Sequence, residues 1–188
     1  MFEWTEKELG GVDILVNNAA ILQHGKITDM SAEQLHQIMS INVVAVAICI
    51  REAVRIMKKN KNLGHIININ SVAGHFAESL RINIGLYPAS KYALNALTLA
   101  VRHELEADQM NVRITSISPG AVNTDMIRSF SNEEMIKALP TLSDKDIANA
   151  VIFALSASPG AQVCEVIITP HDPVKNAIVA KFVANKMK

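Results

Sequence analysis

Two kinds of hydrophobic pattern alternate along the chain. Val12 to Val16 (VDILV) is a short, nearly continuous apolar run that ends in Asn17-Asn18, the pattern of a strand buried on both faces in a parallel sheet. Ser31 with Gln34 three residues on forms a capping box, and Leu35, Ile38, Met39, Val43, Val46 and Ala47 then keep helical spacing, which predicts one long, mostly buried helix to about Lys59. After a turn at Asn62 to Gly64, His65 to Ser71 (HIININS) is β-branched at alternate positions and reads as a second strand, followed by a helix from about Pro88 to Glu106. Val112 to Ile117 is a third strand closed by Ser118-Pro119-Gly120, Ser143 caps a helix through about Ser156, and Val163 to Ile168 is a fourth strand.

The order βαβαβαβ requires crossover connections, so the expected fold is a single α/β domain over residues 1–188, a parallel sheet with helices on both faces. The stretch from His171 to Lys188 carries Val174, Ile178, Phe182 and Val183 at helical spacing and reads as a tail docked on its own protein or frayed. With 49% apolar and 19% charged residues the chain has material for a sizeable core, which rules out disorder. Lys and Arg number 18, as do Asp and Glu, so no electrostatic footprint for nucleic acid is present. The longest uninterrupted apolar run, Val43 to Ile50, falls short of the ~18 to 20 residues of a membrane span, and the opening residues are not signal-like, so a soluble, unprocessed chain is expected. Cys49 and Cys164 sit in apolar stretches without a Cys-x-x-Cys pair, which predicts buried free thiols and a cytoplasmic location. Six histidines show no paired ligand spacing, so no metal site is expected, and the eight glycines form no Gly-rich phosphate loop.

Candidate chemistry centres on Tyr87 and Lys91, four apart at a helix start, where phenol and ammonium share one face. A free phenol titrates near pH ~10; an adjacent cation favours phenolate and makes the tyrosine a general acid/base for an alcohol or ketone. Ser71, at the carboxyl end of a parallel strand, stands where open α/β sheets bind ligands, and its hydroxyl can hold a substrate oxygen. A Tyr and a Lys at this spacing occur more often as a solvated surface pair, and on the pattern alone Asn42 reads rather as a tolerated polar residue in a buried helix. A hydrolase built on Ser71, His75 and an acidic residue lacks a Gly-x-Ser-x-Gly elbow.

Company in the right order favours the functional reading. Asn17-Asn18-Ala19-Ala20 after the first strand, Asn42 in the long helix, Ser71 in NINSVAG, Tyr87-Pro-Ala-Ser-Lys91 and Ser118-Pro-Gly-Ala-Val-Asn-Thr124 together resemble the short-chain dehydrogenase/reductase family from about Val12 to Thr124. The segments GHIININSVAGH and Arg51-Glu52-Ala53 resemble its branch of dehydrogenase/reductase member 11 proteins and insect farnesol dehydrogenases. The resemblance implies a Rossmann-like sheet and an NADP or NAD cofactor, NADP favoured, with the hydride on the nicotinamide. It implies that Tyr87 is proton donor and acceptor, Lys91 lowers its pKa and holds the nicotinamide ribose, Ser71 orients the carbonyl, and Asn42 supports a water-mediated proton path. Asn18 and Ala19 would form the cofactor wall, and Val122 and Thr124 would meet the carboxamide end; Ala20 replaces the family's usual glycine.

Measured against a complete family member, roughly 70 residues carrying the first strands and the Gly-rich turn are missing at the amino end, which would leave VDILV at a sheet edge. The implied activity interconverts a secondary or allylic alcohol and its carbonyl, in a homo-oligomer. Met126, Ile127, Phe130, Met135, Ile136 and Leu139 suggest either a lid over a lipophilic substrate or a helix packed on its own domain. The rival reading is a noncatalytic interaction protein that associates through the exposed first strand or its long helices.

Overall fold

A computed structural model of the chain describes residues 1–60, 63–77, 82–129 and 139–173. The expected strands are present as β1 (Ile14–Asn17), β2 (Gly64–Ile69), β3 (Val112–Pro119) and β4 (Glu165–Ile168), all parallel and ordered β1-β2-β3-β4. A first helix, α1 (Phe2–Leu9), precedes them and ends at Gly10 in the left-handed conformation (φ 82°). Its Glu6 meets Arg55 and Lys59 at 3.1 and 2.6 Å.

The capping box at Ser31 and Gln34 starts α2 (Ala32–Met39) as expected. The long helix that follows is not uniform: a π turn at Ser40–Val44 intervenes before α3 (Ala45–Asn60). A π turn inserts one residue into the helical repeat, and here the residue at its centre is the buried Asn42. Residues 32–60 have the length and apolarity of a membrane span, yet Val46, Ile50, Ala53 and Met57 pack against the sheet with Ile66 and Ile114, which makes this a core helix.

The register decides the faces. Ile66 and Ile114 are partners and face α3 and α4 (Tyr87–Ala107), through Leu94, Val101 and Leu105. Ile67 and Ile117 face the other way, onto Ala150 and Ala154 of α6 (Asp144–Ser156), which Ser143 and Asp146 cap reciprocally. Each step moves to the next strand in the same direction, while α3 and α4 lie on one face and α6 on the other. The β3–α6–β4 crossover is therefore opposite in hand to the two before it, an exception to a strong rule. The short helix α5 (Asp125–Arg128) lies between β3 and α6 in chain order.

Two expectations need correction, and one is met: β1 has the apolar pattern of a strand buried on both faces but stands at the sheet edge where the resemblance placed it, with Leu15 packed on the α3 side and Ile14 and Val16 51% and 43% exposed on the other. Cys164 is exposed and Cys49 half-buried, because Cys164 lies just before the opposite edge strand, where one neighbour covers too little surface to bury it. β4 begins at Glu165 rather than Val163, whose carbonyl instead accepts from the Thr115 hydroxyl. The tail from Val174 on, the turn residues Lys61 and Asn62, and Phe130, Met135 and Ile136 lie outside the described residues.

His65 is buried, and Thr115 bonds its Nε2 at 2.8 Å while Nδ1 has no partner. The Thr115 hydroxyl donates to Val163, so Nε2 carries the proton and the ring is neutral. Burial first, and the Arg113 charge second, push its pKa down to about 4. The unfolded chain therefore binds a proton that the folded chain refuses as pH falls from about 6.5 to about 4, costing up to about 3 kcal/mol of stability. A His65→Leu variant, followed by urea unfolding across that range, should lose much of this acid sensitivity; an unchanged pH slope would assign it elsewhere.

Candidate active site

Ser71 ends the run of β2 in extended backbone and caps a 3₁₀ turn, Val72–Gly74, its Oγ accepting from Ala73 N at 3.1 Å. The chain returns to open α4 at Tyr87, with Pro88 in the first turn, where its missing N–H is harmless. Gly85, at φ 53°, makes the bend before the helix, and its N–H bonds Gly25 O at 3.0 Å, tying this approach to the loop after β1. Tyr87, Ala73 and Ile84 form a small buried cluster backed by Leu22.

Lys91 lies one turn on. Its side chain is 2% exposed, with Nζ 5.6 Å from the centre of the Tyr87 ring and donating to Ile69 O at 2.9 Å. Asn42 closes the back of the site: Ile21 N donates to its Oδ1 at 2.8 Å, while its Nδ2 lies 2.9 Å from Ile21 O and 3.0 Å from Ser90 Oγ. Ser90 in turn donates to Tyr87 O at 2.7 Å. The structure thus joins Asn42, Ser71, Tyr87 and Lys91 in one cluster. Ser90 was not among the sequence candidates, although its place one turn after Tyr87 was a signal that could have found it.

The outer candidates stay apart from that cluster but share its edge of the sheet. Asn18 and Ala19 are exposed on the loop after β1, and Val122 and Thr124 are half-buried on the connection after β3. Val122 pairs with Leu142, and Thr124 N donates to Val122 O at 2.8 Å. Of the apolar residues considered as a lid, Met126, Ile127 and Leu139 are half-buried.

The electrostatics differ from the expectation that Lys91 acidifies Tyr87. Burial pushes the phenol up to about 12, and only the hydrogen bond with the Ser71 hydroxyl pulls against it. Burial likewise pushes Lys91 down to about 8. Removing both groups from water outweighs their contact, because desolvation acts on the charged form of each. At neutral pH Tyr87 is therefore a protonated donor.

The donor set fits a dinucleotide's sugar. A lysine ammonium has three N–H donors, and among the described residues Ile69 O is the one acceptor that Lys91 meets, although the side chain is almost fully buried. Ribose hydroxyls are acceptors of the kind those remaining N–H groups lack.

The model of the short chain dehydrogenase family matches residues 1–135. The chain is 39% identical over 177 residues to the farnesol dehydrogenase of Aedes aegypti, covering 90% of this chain and 68% of that protein. It is 36% identical over 181 residues to the human dehydrogenase/reductase SDR family member 11, covering 93% of this chain and 69% of that protein. A 4-hydroxyisoleucine dehydrogenase mutant complexed with NADH and succinate superposes with a TM-score of 0.79 at 26% identity, over 92% of this chain and 73% of that one. The chain thus spans about two thirds of the length of these curated relatives. With the same parallel sheet, and with relatives named as dehydrogenases, the chain belongs to the short-chain dehydrogenase/reductase family, oxidoreductases that act on CH–OH groups.

Proposed function

We propose that this chain carries the proton-handling half of an NAD(P)-dependent interconversion of a secondary or allylic alcohol and its carbonyl. The observation that carries this reading is the buried Lys91, whose ammonium is set beside the Tyr87 ring and bonded to Ile69 O, two residues before Ser71. A lysine this deep is rarely tolerated for stability alone and marks a functional site. A nicotinamide dinucleotide, when bound, supplies or takes up the hydride.

Ser71 and Tyr87 present hydroxyl groups to the substrate oxygen: Ser71 orients the carbonyl and Tyr87 gives it a proton. At neutral pH the buried phenol holds its proton and so can serve as the acid in carbonyl reduction. Lys91 holds the ribose, and its ammonium stabilises the phenolate left on Tyr87 until a proton from solvent restores the phenol. Asn42, fixed to the Ile21 backbone and Ser90, supports a proton path behind the tyrosine. Asn18 and Ala19 on one side and Val122 and Thr124 on the other flank the cofactor. A cleft of about 220 Å³ beside the start of α4, lined by Ile27, Ile82, Ile84 and Pro88 together with Lys26 and Asn83, has room for a small alcohol or ketone. A lipophilic substrate is part of the reading by family likeness. NADP is favoured over NAD by family likeness. A homo-oligomer is part of this reading by family likeness.

Titration of the chain with NADPH and NADH, followed by nicotinamide fluorescence, tests the reading. Saturable binding is the expected result. A folded chain that binds neither dinucleotide at millimolar concentration would overturn it, in favour of a noncatalytic association role.

A further inference from the structure

The chemistry proposed above depends on where the Ser71 turn is held, and that turn is gripped from two sides. From α4, Asn95 Nδ2 donates to Gly74 O at 2.7 Å, and the Tyr92 hydroxyl donates to His75 O at 2.6 Å. Asn70, the residue before Ser71, donates to Asn95 Oδ1 at 2.6 Å. Gly74 lies so close to α4 that a Cβ added to it would stand 2.7 Å from Lys91 O.

The second grip comes from the far strands. His75 Nε2 lies 2.7 Å from Glu165 Oε1 on β4 and 3.1 Å from Ser118 Oγ on β3, and Ser118 donates to the same carboxylate oxygen at 2.9 Å. A carboxylate only accepts, so Nε2 carries the proton that the carboxylate receives, while Asn95 Nδ2 lies beside the ring, 3.3 Å from Nε2 and 3.4 Å from Nδ1. A solvated ion pair of this type contributes little. What sets this contact apart is the third partner: the side chains of His75 and Glu165 are 18% and 32% exposed, and the carboxylate oxygen they share also satisfies a fully buried serine.

We propose that His75 and Glu165 form a clasp across β3 that fixes the turn carrying Ser71, and so act as positioning residues for its hydroxyl. The proposal rests on the assignment of Ser71 and Tyr87 made above. Glu165 reaches this position because the last crossover lays β4 beside β3, with Glu165 opposite Ser116 and on the same face as α4.

Amide hydrogen exchange in the whole chain tests the clasp directly. The N–H groups of Gly74, His75 and Phe76 all bond within the turn, to Ser71 O or Val72 O. In Glu165→Ala and His75→Ala their exchange should rise by about tenfold or more, with Ile66 and Ile114 unchanged, while Glu165→Gln, which keeps an acceptor oxygen, stays within about threefold of wild type. In ketone reduction, Glu165→Ala should lower kcat by about tenfold at unchanged dinucleotide affinity, and Glu165→Gln should restore most of it. Exchange that stays constant, or rises equally throughout β2 and β3, overturns the clasp. Exchange that rises in the turn with kcat unaltered overturns its positioning role. A wild-type chain that reduces no ketone overturns the Ser71 and Tyr87 assignment instead, and the exchange pattern alone then decides whether the clasp holds the turn.

Discussion

Tyr87→Phe should lower the turnover of ketone reduction by about 10²- to 10⁴-fold while leaving dinucleotide affinity within about twofold. The substitution removes one oxygen and keeps the ring, so the cluster with Ala73 and Ile84 stays filled and no cavity opens. What disappears is the proton at the site and the hydrogen bond with Ser71, worth about 1 kcal/mol to the fold. A fall in kcat with binding intact is the signature of an interaction made in the transition state. Stopped-flow oxidation of NADPH with a lipophilic ketone, beside a fluorescence titration of the same variant, separates the two quantities. Unchanged turnover would show that the proton comes from another group and would remove Tyr87 from the mechanism.

Lys91→Met should do two opposite things: lower turnover by about 10²-fold or more and stabilise the folded chain. The stabilisation follows from the sign of the pKa shift. Lys91 titrates at about 8 when folded and near 10.5 when unfolded, so at neutral pH the fold carries the cost of a buried cation. Between those values the unfolded state binds more protons, and wild-type stability should rise with pH by up to about 3 kcal/mol. Methionine has a similar volume and no charge to bury. It forfeits the bond to Ile69 O, which leaves a net gain of roughly 1 to 2 kcal/mol at neutral pH. Tyr87 acts in the other direction at higher pH: its folded value of about 12 lies above the unfolded one, so its ionisation erodes stability only above about pH 10. Urea unfolding from neutral pH to about pH 10 therefore isolates Lys91. A variant that is less stable than wild type, or that keeps the same rise with pH, would refute this account of the lysine. A gain in stability at the cost of activity would identify Lys91 as kept for chemistry rather than for folding.

Most of the elements, and the grouping of Asn42, Ser71, Tyr87 and Lys91 as candidates, were legible in the sequence. Alternation at His65 to Ile69, the capping boxes at Ser31 and Ser143, and the spacing of Tyr87 and Lys91 depend on neighbours within a few residues, so they are legible before any fold exists. Strand ends and exposures were less legible. Ile14, Val16 and Cys164 belong to apolar runs, but whether an apolar residue is covered depends on which strand becomes an edge. Tertiary structure alone decided the π turn around Asn42, the opposite hand of the last crossover, and the meeting of His75 with Glu165. It also reversed the expected acidity of Tyr87. Charge proximity is written into an i,i+4 spacing, whereas desolvation sums the atoms that every other segment of the chain brings around the group, and at this site that sum is the larger effect.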